Sequence, residues 1–134
     1  MATILLADND RAVSALLTEL LRRFGVVVEP AYDGEEAKEK ARRPGLGAIV
    51  CDLDMPKASG LEVLESLLDL PNPPPAIVIS GYVDEAVRLR LQRLPYVRDV
   101  LRKPFDLMAF AAKVKRLAAG EGEAPPAAAA AAGV

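Results

Sequence analysis

The chain has 134 residues, of which 51% are hydrophobic and 27% are charged, and its formal net charge is −2. This size and composition are typical of one globular domain, and no apolar run reaches the roughly 20 residues that span a bilayer. The acidic balance argues against nucleic-acid binding and the start does not resemble a signal peptide, so we expect a cytoplasmic protein without membrane or nucleic-acid partners.

Two residue types that carry much enzyme chemistry are scarce. There is no histidine, which excludes His-based acid–base catalysis, Ser-His-Asp triads and most zinc sites. The single cysteine, Cys51, cannot form an internal disulfide and lies in an apolar run, so we expect a packed thiol. Any chemistry must therefore use carboxylates, hydroxyls and lysine.

The first third of the chain predicts a strand and a helix. Residues 3–7 form a short apolar run, and apolar side chains then recur at the three-and-four spacing of a helix over residues 13–24. Gly25 is expected to end this helix as its C-terminal cap. Asp10 is expected to be the N-cap rather than a metal ligand.

The alternation continues in the middle of the chain. The β-branched residues 26–28 predict a second strand, and a second helix is expected to begin at Asp33 and to end at Pro44. Residues 48–51 predict a third strand that lacks polar residues, as expected when helices cover both faces of a parallel sheet. Leucines within residues 61–68 predict the third helix.

The last third predicts two more strands and two more helices. The strands cover residues 76–79 and 97–101, and the helices cover residues 87–94 and 106–119. Residues 120–134 are rich in Pro, Ala and Gly, so we expect a disordered tail after a single domain of residues 1–119.

Five alternating strands and helices predict an α/β fold with a parallel sheet, right-handed crossovers and helices on both faces. Ligands in such folds bind at the carboxyl ends of the strands. The residues at these ends are Asp8, Asn9 and Asp10 after the first strand, Asp52 and Asp54 after the third, Ser80 after the fourth and Lys103 after the fifth.

This set of side chains suits phosphoryl chemistry. Carboxylates at one edge repel one another unless a cation lies among them, and oxygen ligands without histidine or thiolate favour Mg²⁺. An aspartate can attack phosphorus, Lys103 and Mg²⁺ can neutralise the phosphoryl oxygens, and Ser80 can donate a hydrogen bond.

Three motifs in order make residues 3–119 resemble a receiver domain of the two-component response regulators, the CheY-like family. They are Asp52 with Met55-Pro56 and Gly60, Ser80-Gly81, and Lys103-Pro104-Phe105. The resemblance implies a flavodoxin-like, doubly wound sheet of five parallel strands in the order 2-1-3-4-5 with five helices. It also implies a cis peptide bond before Pro104.

The resemblance implies a role for each site residue. Asp52 would accept a phosphoryl group from a histidine kinase or a phosphotransfer protein, and Lys103 would pair with the resulting phosphate. Ser80 would move toward that phosphate on activation. Mg²⁺ would be held by Asp8 through water, by Asn9, by Asp52 and by the backbone carbonyl of Asp54.

Two positions depart from the family pattern. Asn9 replaces an acid, so Mg²⁺ is expected to bind more weakly unless the side chain of Asp54 or Asp10 compensates. Val100 replaces the aromatic residue that normally accompanies the switch hydroxyl, so that coupling cannot operate unchanged. Tyr82 is a candidate to substitute for this ring or to shield the phosphate from water; Asp54 is equally interpretable as a simple turn residue.

The basic residues are concentrated late in the chain. Residues 84–116 contain nine basic and four acidic residues, whereas the rest contains eight and fifteen. The family signals through its fourth helix, fifth strand and fifth helix, so we expect an acidic protein partner there; a merely solvated surface is the alternative. With no output domain expected in the chain, we predict a stand-alone signalling receiver and not an enzyme.

Two other functions compete with this interpretation. The first is a receiver-like interaction module that does not need phosphate, motivated by Asn9 and Val100. The second is an aspartyl-nucleophile phosphatase, suggested by Asp52-Leu53-Asp54. Such phosphatases resemble this chain only locally, because they carry the motif on the first strand and have a cap domain and a later acidic pair.

Overall fold

The computed structural model describes residues 2–120, so the predicted tail lies outside the described residues except for Gly120. Strands and helices alternate throughout. The strands are β1 (Ala2–Ala7), β2 (Val26–Ala31), β3 (Ala48–Asp52), β4 (Ala76–Ser80) and β5 (Val97–Arg102). The helices are α1 (Arg11–Arg23), α2 (Gly34–Ala41), α3 (Gly60–Glu65), α4 (Glu85–Gln92) and α5 (Leu107–Ala118). Within residues 2–120, no helix is long and apolar enough to cross a membrane.

The five strands form one parallel sheet in the order β2-β1-β3-β4-β5, which confirms the expected topology. Strand β2 is longer than the predicted residues 26–28, because it continues through Pro30 to Ala31. Proline cannot donate a hydrogen bond, and it is tolerated here because β2 is an edge strand.

The sheet separates two apolar layers. One layer packs β-strand residues such as Leu5 and Ile49 against α2, α3 and α4, and the other packs residues such as Ile4 and Val50 against α1 and α5. Every residue of β3 and β4 is buried, as expected for central strands covered on both faces. The polar ends of these strands are therefore held by a rigid core.

The leucine pattern of the third helix predicted too long an element. Helix α3 ends at Glu65, and the chain continues in turns toward the proline-rich segment. Leu67 is buried, but Leu68 is 55% exposed. Once the helical rise ends, the three-and-four spacing no longer places consecutive leucines on one face, so Leu68 points to solvent.

Side-chain caps define where the helices begin. The carboxylates of Asp10, Asp33, Asp84 and Asp106 accept hydrogen bonds from backbone N–H groups in the first turns of α1, α2, α4 and α5. The predicted N-cap role of Asp10 is thus confirmed. Gly25 ends α1 with φ of 83°, a conformation that favours glycine.

Candidate functional site

The carboxyl ends of the strands meet at one cleft, as the alternation predicted. Asp8 follows β1, Asp52 ends β3, Ser80 ends β4 and Lys103 follows β5. The cleft is lined by these four residues together with Asn9, Asp10, Leu53, Asp54, Gly81, Tyr82 and Val87. The structure thus brings together every side chain that the sequence placed at this edge.

Asp52 is a buried acid at the centre of the cleft. Its side chain is 3% exposed, and its Oδ2 accepts a hydrogen bond from Lys103 Nζ at 2.7 Å. Its Oδ1 accepts one from the backbone N–H of Asp54 at 2.9 Å. Both oxygens are therefore held in a fixed orientation by donors from two loops.

Asp8 carries an unsatisfied oxygen. Its Oδ1 accepts a hydrogen bond from the Asp10 backbone N–H at 2.9 Å, but Oδ2 is buried and has no hydrogen-bond partner among the described residues. Burial raises the pKa of Asp8, the bond from Asp10 opposes this shift, and the charge of Asp52 adds to it. A buried oxygen of this kind is normally satisfied by a proton, an ordered water or a cation.

Lys103 is the cation of the cleft. Burial alone would lower its pKa, but the hydrogen bond and charge of Asp52 and the charges of Asp8 and Asp10 together raise it. The ammonium group is therefore fully protonated at neutral pH. Its side chain remains 40% exposed, so it can reach an incoming anion as well as Asp52.

The donor set suits Mg²⁺ better than a softer metal. Within residues 2–120, no three His, Cys, Asp or Glu side chains are grouped closely enough to hold a metal ion by themselves. The expected crowding of carboxylates is thus smaller than the sequence suggested, because Asp10 is committed to the cap of α1. Two buried carboxylates, Asp8 and Asp52, remain. This fits Mg²⁺, which uses one or two carboxylates and keeps several waters.

Ser80 is engaged with a residue of its own loop. Its hydroxyl donates a hydrogen bond to the backbone carbonyl of Tyr82 at 2.8 Å and accepts one from the Tyr82 N–H at 3.2 Å. The Tyr82 side chain is 73% exposed at the rim of the cleft. The hydroxyl must give up its bond to the carbonyl before it can donate to a group on Asp52.

The loop after Asp52 rests on helix α2, a feature that the sequence reasoning missed. The N–H of Gly34, the first residue of α2, donates to the carbonyl of Pro56 at 3.0 Å. The Asp-Gly pair at 33–34 was interpreted only as a helix start. Because Asp33 already caps the helix, the cap does not explain the glycine that follows it. That glycine was the available signal that another part of the backbone approaches closely.

The basic residues lie where the sequence predicted, but several are already paired. Arg88 binds Glu85, Arg90 binds Glu65 and Lys113 binds Asp99. A groove between α4 and β5 is lined by apolar Val83, Leu91, Val97 and Val100 and by charged or polar Arg88, Gln92, Arg98, Asp99 and Arg102. The surface therefore combines an apolar floor with a mainly basic rim.

Cys51 and the proline after Lys103 agree with expectation. The thiol is fully buried beside Asp52, and burial raises its pKa to about 12, so it is a packed and unreactive group. The peptide bond between Lys103 and Pro104 is cis.

Comparison with known proteins gives a consistent result. The response regulator receiver domain model matches residues 4–115. The transcriptional regulatory protein PrrA of Mycobacterium tuberculosis is 36% identical over 115 residues, which are 85% of this chain and 48% of that protein. A protein-glutamate methylesterase/protein-glutamine glutaminase of Anaeromyxobacter dehalogenans is 35% identical over 102 residues, which are 75% of this chain and 29% of that protein. The chain thus spans half or less of these relatives.

Solved structures share the fold. A CheY-like response regulator receiver domain from Methanospirillum hungatei superposes with a TM-score of 0.83 at 21% identity, over 93% of this chain and 99% of that one. The response regulator TrrA of Thermotoga maritima, solved in complex with Mg²⁺ and BeF, has a TM-score of 0.76 at 27% identity. It is matched over 99% of its length by 87% of this chain.

Proposed function

The chain belongs to the response regulator receiver domain family of two-component systems, and on that premise we propose that it accepts a phosphoryl group on Asp52. The donor is a phosphohistidine of a histidine kinase or of a phosphotransfer protein. The observation that carries this proposal is the enclosed Asp52 carboxylate, held by the Lys103 ammonium at 2.7 Å and by the Asp54 N–H at 2.9 Å.

The proposed step transfers a phosphoryl group between two side chains. A carboxylate oxygen of Asp52 forms a bond to phosphorus, the bond from phosphorus to the donor's imidazole nitrogen breaks, and that nitrogen leaves with the bonding electron pair. Lys103 moves its hydrogen bond from Asp52 to a phosphoryl oxygen, where its charge is most needed. The product is an acyl phosphate, whose negative charge is new to the cleft.

Mg²⁺ is the proposed cofactor. Asp8, Asn9, Asp52 and the backbone carbonyl of Asp54 would hold it, and it would supply positive charge to the transferring phosphoryl group. The buried, unpartnered Oδ2 of Asp8 supports this proposal, because a cation is the partner that oxygen lacks. Asn9 offers a neutral oxygen, so the proposed affinity is low.

Ser80 is the proposed switch. The hydroxyl exchanges its bond to the Tyr82 carbonyl for a bond to the new phosphate, which frees the backbone at the start of the loop that leads to α4. Because Val100 is not aromatic, the response must pass through this loop rather than through rotation of a ring on β5.

Output is proposed to occur by binding a partner at α4, β5 and α5. Arg93, Arg102, Lys115 and Arg116 have no ion-pair partner among the described residues, and Arg102 lines the groove between α4 and β5. Arg102 beside an apolar groove, with further unpaired cations on the neighbouring surface, favours an acidic partner that also offers an apolar side chain. On this proposal the chain signals by binding and does not turn over a substrate.

The test of the proposed function is the intact mass of the protein after incubation with acetyl phosphate, with and without Mg²⁺. We expect one phosphoryl adduct that requires Mg²⁺ and is lost in Asp52→Ala. Asp54→Ala is the matched control, because it removes a carboxylate from the same cleft but keeps the backbone carbonyl, and its adduct should persist. A folded wild-type protein without an adduct would favour the phosphate-independent interaction module.

A further inference from the structure

The loop between β3 and α3, residues 53–59, makes an unusual turn beside the site. The carbonyl of Pro56 accepts two hydrogen bonds, from the N–H of Ala58 at 2.8 Å and from the N–H of Gly34 at 3.0 Å. The residue between Pro56 and Ala58 is Lys57, whose φ is 72°. A non-glycine residue in this region is strained and requires support from its surroundings.

Helix α2 provides that support by direct backbone contact. A Cβ atom on Gly34 would lie 2.0 Å from the carbonyl oxygen of Ala58 and 2.5 Å from its carbonyl carbon. To reach the ordinary contact distance of 3.4 Å, the loop and the helix would have to separate by about 1.4 Å. Only glycine allows the first turn of α2 to touch the loop as it does.

The other end of the loop is held in the same way. The N–H of Gly60 donates to the carbonyl of Leu53 at 3.0 Å, and a Cβ on Gly60 would lie 2.2 Å from the backbone oxygen of Asp52. Asp54 lies in the loop between the contacts made by Gly60 and by Gly34, and its N–H donates a hydrogen bond to Asp52 Oδ1. A shift of the loop at Ala58 therefore reaches the backbone of Asp54.

We infer that Gly34 is a positioning residue for the loop of residues 53–59, although it lies on a different element and does not line the cleft. Its contact with Pro56 and Ala58 sets the direction of the Asp54 carbonyl and N–H, which the proposed function uses for Mg²⁺ and for Asp52. The inference rests on the proposed function only for its predicted effect on Mg²⁺ binding and phosphorylation. Substitution of residues that orient metal ligands in this indirect way typically lowers metal affinity 10- to 100-fold.

The structure offers a matched control for substitution of Gly34. Gly47 also lacks room for a side chain, because a Cβ there would lie 2.6 Å from the carbonyl oxygen of Ala118. It precedes β3 and so lies at the opposite edge of the sheet from the cleft. Gly34→Ala and Gly47→Ala therefore introduce the same atom against a backbone carbonyl, but only the first does so beside the site.

The first experiment compares these two variants by Mg²⁺ titration, followed by the amide signals of Asp54 and Lys103, and by hydrogen exchange of the Asp54 amide. For Gly34→Ala we expect Mg²⁺ affinity at least about tenfold weaker and faster exchange at Asp54 than the loss of global stability explains. For Gly47→Ala we expect global stability to fall. Its Mg²⁺ affinity and its exchange rate at Asp54 should change only as far as that loss of stability explains.

A second pair of variants avoids the helix entirely. Lys57→Gly and Lys57→Val both remove the ion pair between Lys57 and Asp33, but glycine favours a positive φ whereas valine strongly opposes it. Lys57→Gly should therefore keep wild-type Mg²⁺ affinity, and Lys57→Val should lose it as Gly34→Ala does. Because Lys57 is an exposed residue, this pair remains informative if Gly34→Ala does not fold.

The outcomes separate this inference from the proposed function. Equal effects of Gly34→Ala and Gly47→Ala, or equal affinities of the two Lys57 variants, would overturn the positioning role even if the wild-type protein is phosphorylated. If the wild-type protein forms no phosphoryl adduct, the proposed function fails. Hydrogen exchange at Asp54 then still decides whether Gly34 holds the loop.

Discussion

Asn9 occupies a position at the rim of the cleft where the receiver resemblance implies an acid. The two buried carboxylates, Asp8 and Asp52, lie with one ammonium group, that of Lys103, and an acid at position 9 would make the cleft more negative than the amide does. A divalent cation is attracted by this excess of negative charge, and each charge removed weakens that attraction. If Mg²⁺ binds as proposed, the identity of one exposed side chain therefore affects how strongly the site holds it.

Asn9→Asp should tighten Mg²⁺ binding by about tenfold, or ~1.4 kcal/mol, because it adds a charge beside the proposed ligands. Without Mg²⁺, the same substitution should lower the melting temperature, since it adds like-charge repulsion to Asp8. Isothermal titration and thermal unfolding measure the two effects. Asn9→Ala is the control and should weaken binding; unchanged affinity in Asn9→Asp would remove Asn9 from the ligand set.

Asp8→Asn should stabilise the Mg²⁺-free protein at neutral pH by about 1 kcal/mol, because it removes a buried charge with an unpartnered oxygen. Burial raises the pKa of Asp8 in the folded state above its usual value of 3.8, so the folded protein retains the proton more readily than the unfolded chain. The stability of the wild type therefore falls as pH rises from 3.8 to the raised pKa of Asp8.

The difference in free energy of unfolding between Asp8→Asn and wild type should accordingly be largest above the raised pKa of Asp8. It should narrow as pH falls toward 3.8. Chemical denaturation across this range, in the presence of a chelator, measures it. Saturating Mg²⁺ should make the wild type the more stable of the two proteins, because it should stabilise only the wild type. A constant difference at all pH values would mean that the Asp8 carboxyl is not the titrating group.

Among the elements, helix α4 is the most weakly anchored. Leu91 is its only buried residue, whereas α5 buries four. An ion pair between Arg90 and Glu65 links α4 to α3, with two hydrogen bonds of 3.0 and 2.6 Å. A helix held by one buried leucine, by the partly buried Val87 and by one partly exposed ion pair can move with little disturbance of the core, which suits the element next to the proposed switch Ser80.

Arg90→Gln should destabilise the protein only slightly at pH 7, since partly exposed ion pairs contribute little. The hydrogen bond from Arg90 lowers the pKa of Glu65 below its usual value of 4.5, burial opposes this shift, and the charge of Arg90 adds to it. The stabilisation is thus present above pH 4.5 and is lost as pH falls through the lowered pKa.

Denaturation midpoints of wild type and Arg90→Gln should therefore converge in acid. Arg93→Gln is the matched control, because Arg93 caps the same helix but has no ion-pair partner among residues 2–120, and its effect should not vary with pH. If the two variants behave alike, the ion pair does not contribute to holding α4.

At the scale of the whole molecule, charge is distributed unevenly between the site and the basic surface. The cleft gathers Asp8, Asp10, Asp52 and Asp54. Within residues 2–120, cations without an ion-pair partner lie at the end of α4, on β5 and on α5, and they are Arg93, Arg102, Lys115 and Arg116. On the proposed function, this separation would let a phosphodonor and an acidic partner approach different parts of the surface. Long-range attraction of this kind raises association rates and falls with ionic strength.

A Glu-rich peptide that carries one aromatic residue should therefore bind α4, β5 and α5 at low salt. We expect amide shifts on these elements in a titration at about 20 mM salt and an affinity at least about tenfold weaker at about 300 mM, where screening is stronger. Arg102→Gln should weaken binding, whereas Arg22→Gln, on α1, should not. Binding that is independent of salt would argue against an electrostatic partner surface.

The alternation of apolar runs and helical periodicity was sufficient to predict the sheet, because a buried parallel strand needs an uninterrupted apolar segment such as residues 48–51. Helix lengths were less certain. Leu68 kept the periodicity of α3 but lies after its end, since a local pattern does not record where the backbone turns. Strand β2 likewise continues through Pro30 beyond the predicted residues 26–28, because an edge strand tolerates a residue that cannot donate a hydrogen bond.

The sequence by itself determined the fold class and the identity of the polar residues at the strand ends, since parallel strands bring their carboxyl ends to one edge. Only the tertiary structure decided which oxygens are paired: that Asp8 Oδ2 has no partner, that Ser80 is bonded to Tyr82, and that Gly34 touches Ala58. These facts depend on distances of a few ångströms between segments far apart in the chain, which residue order does not specify.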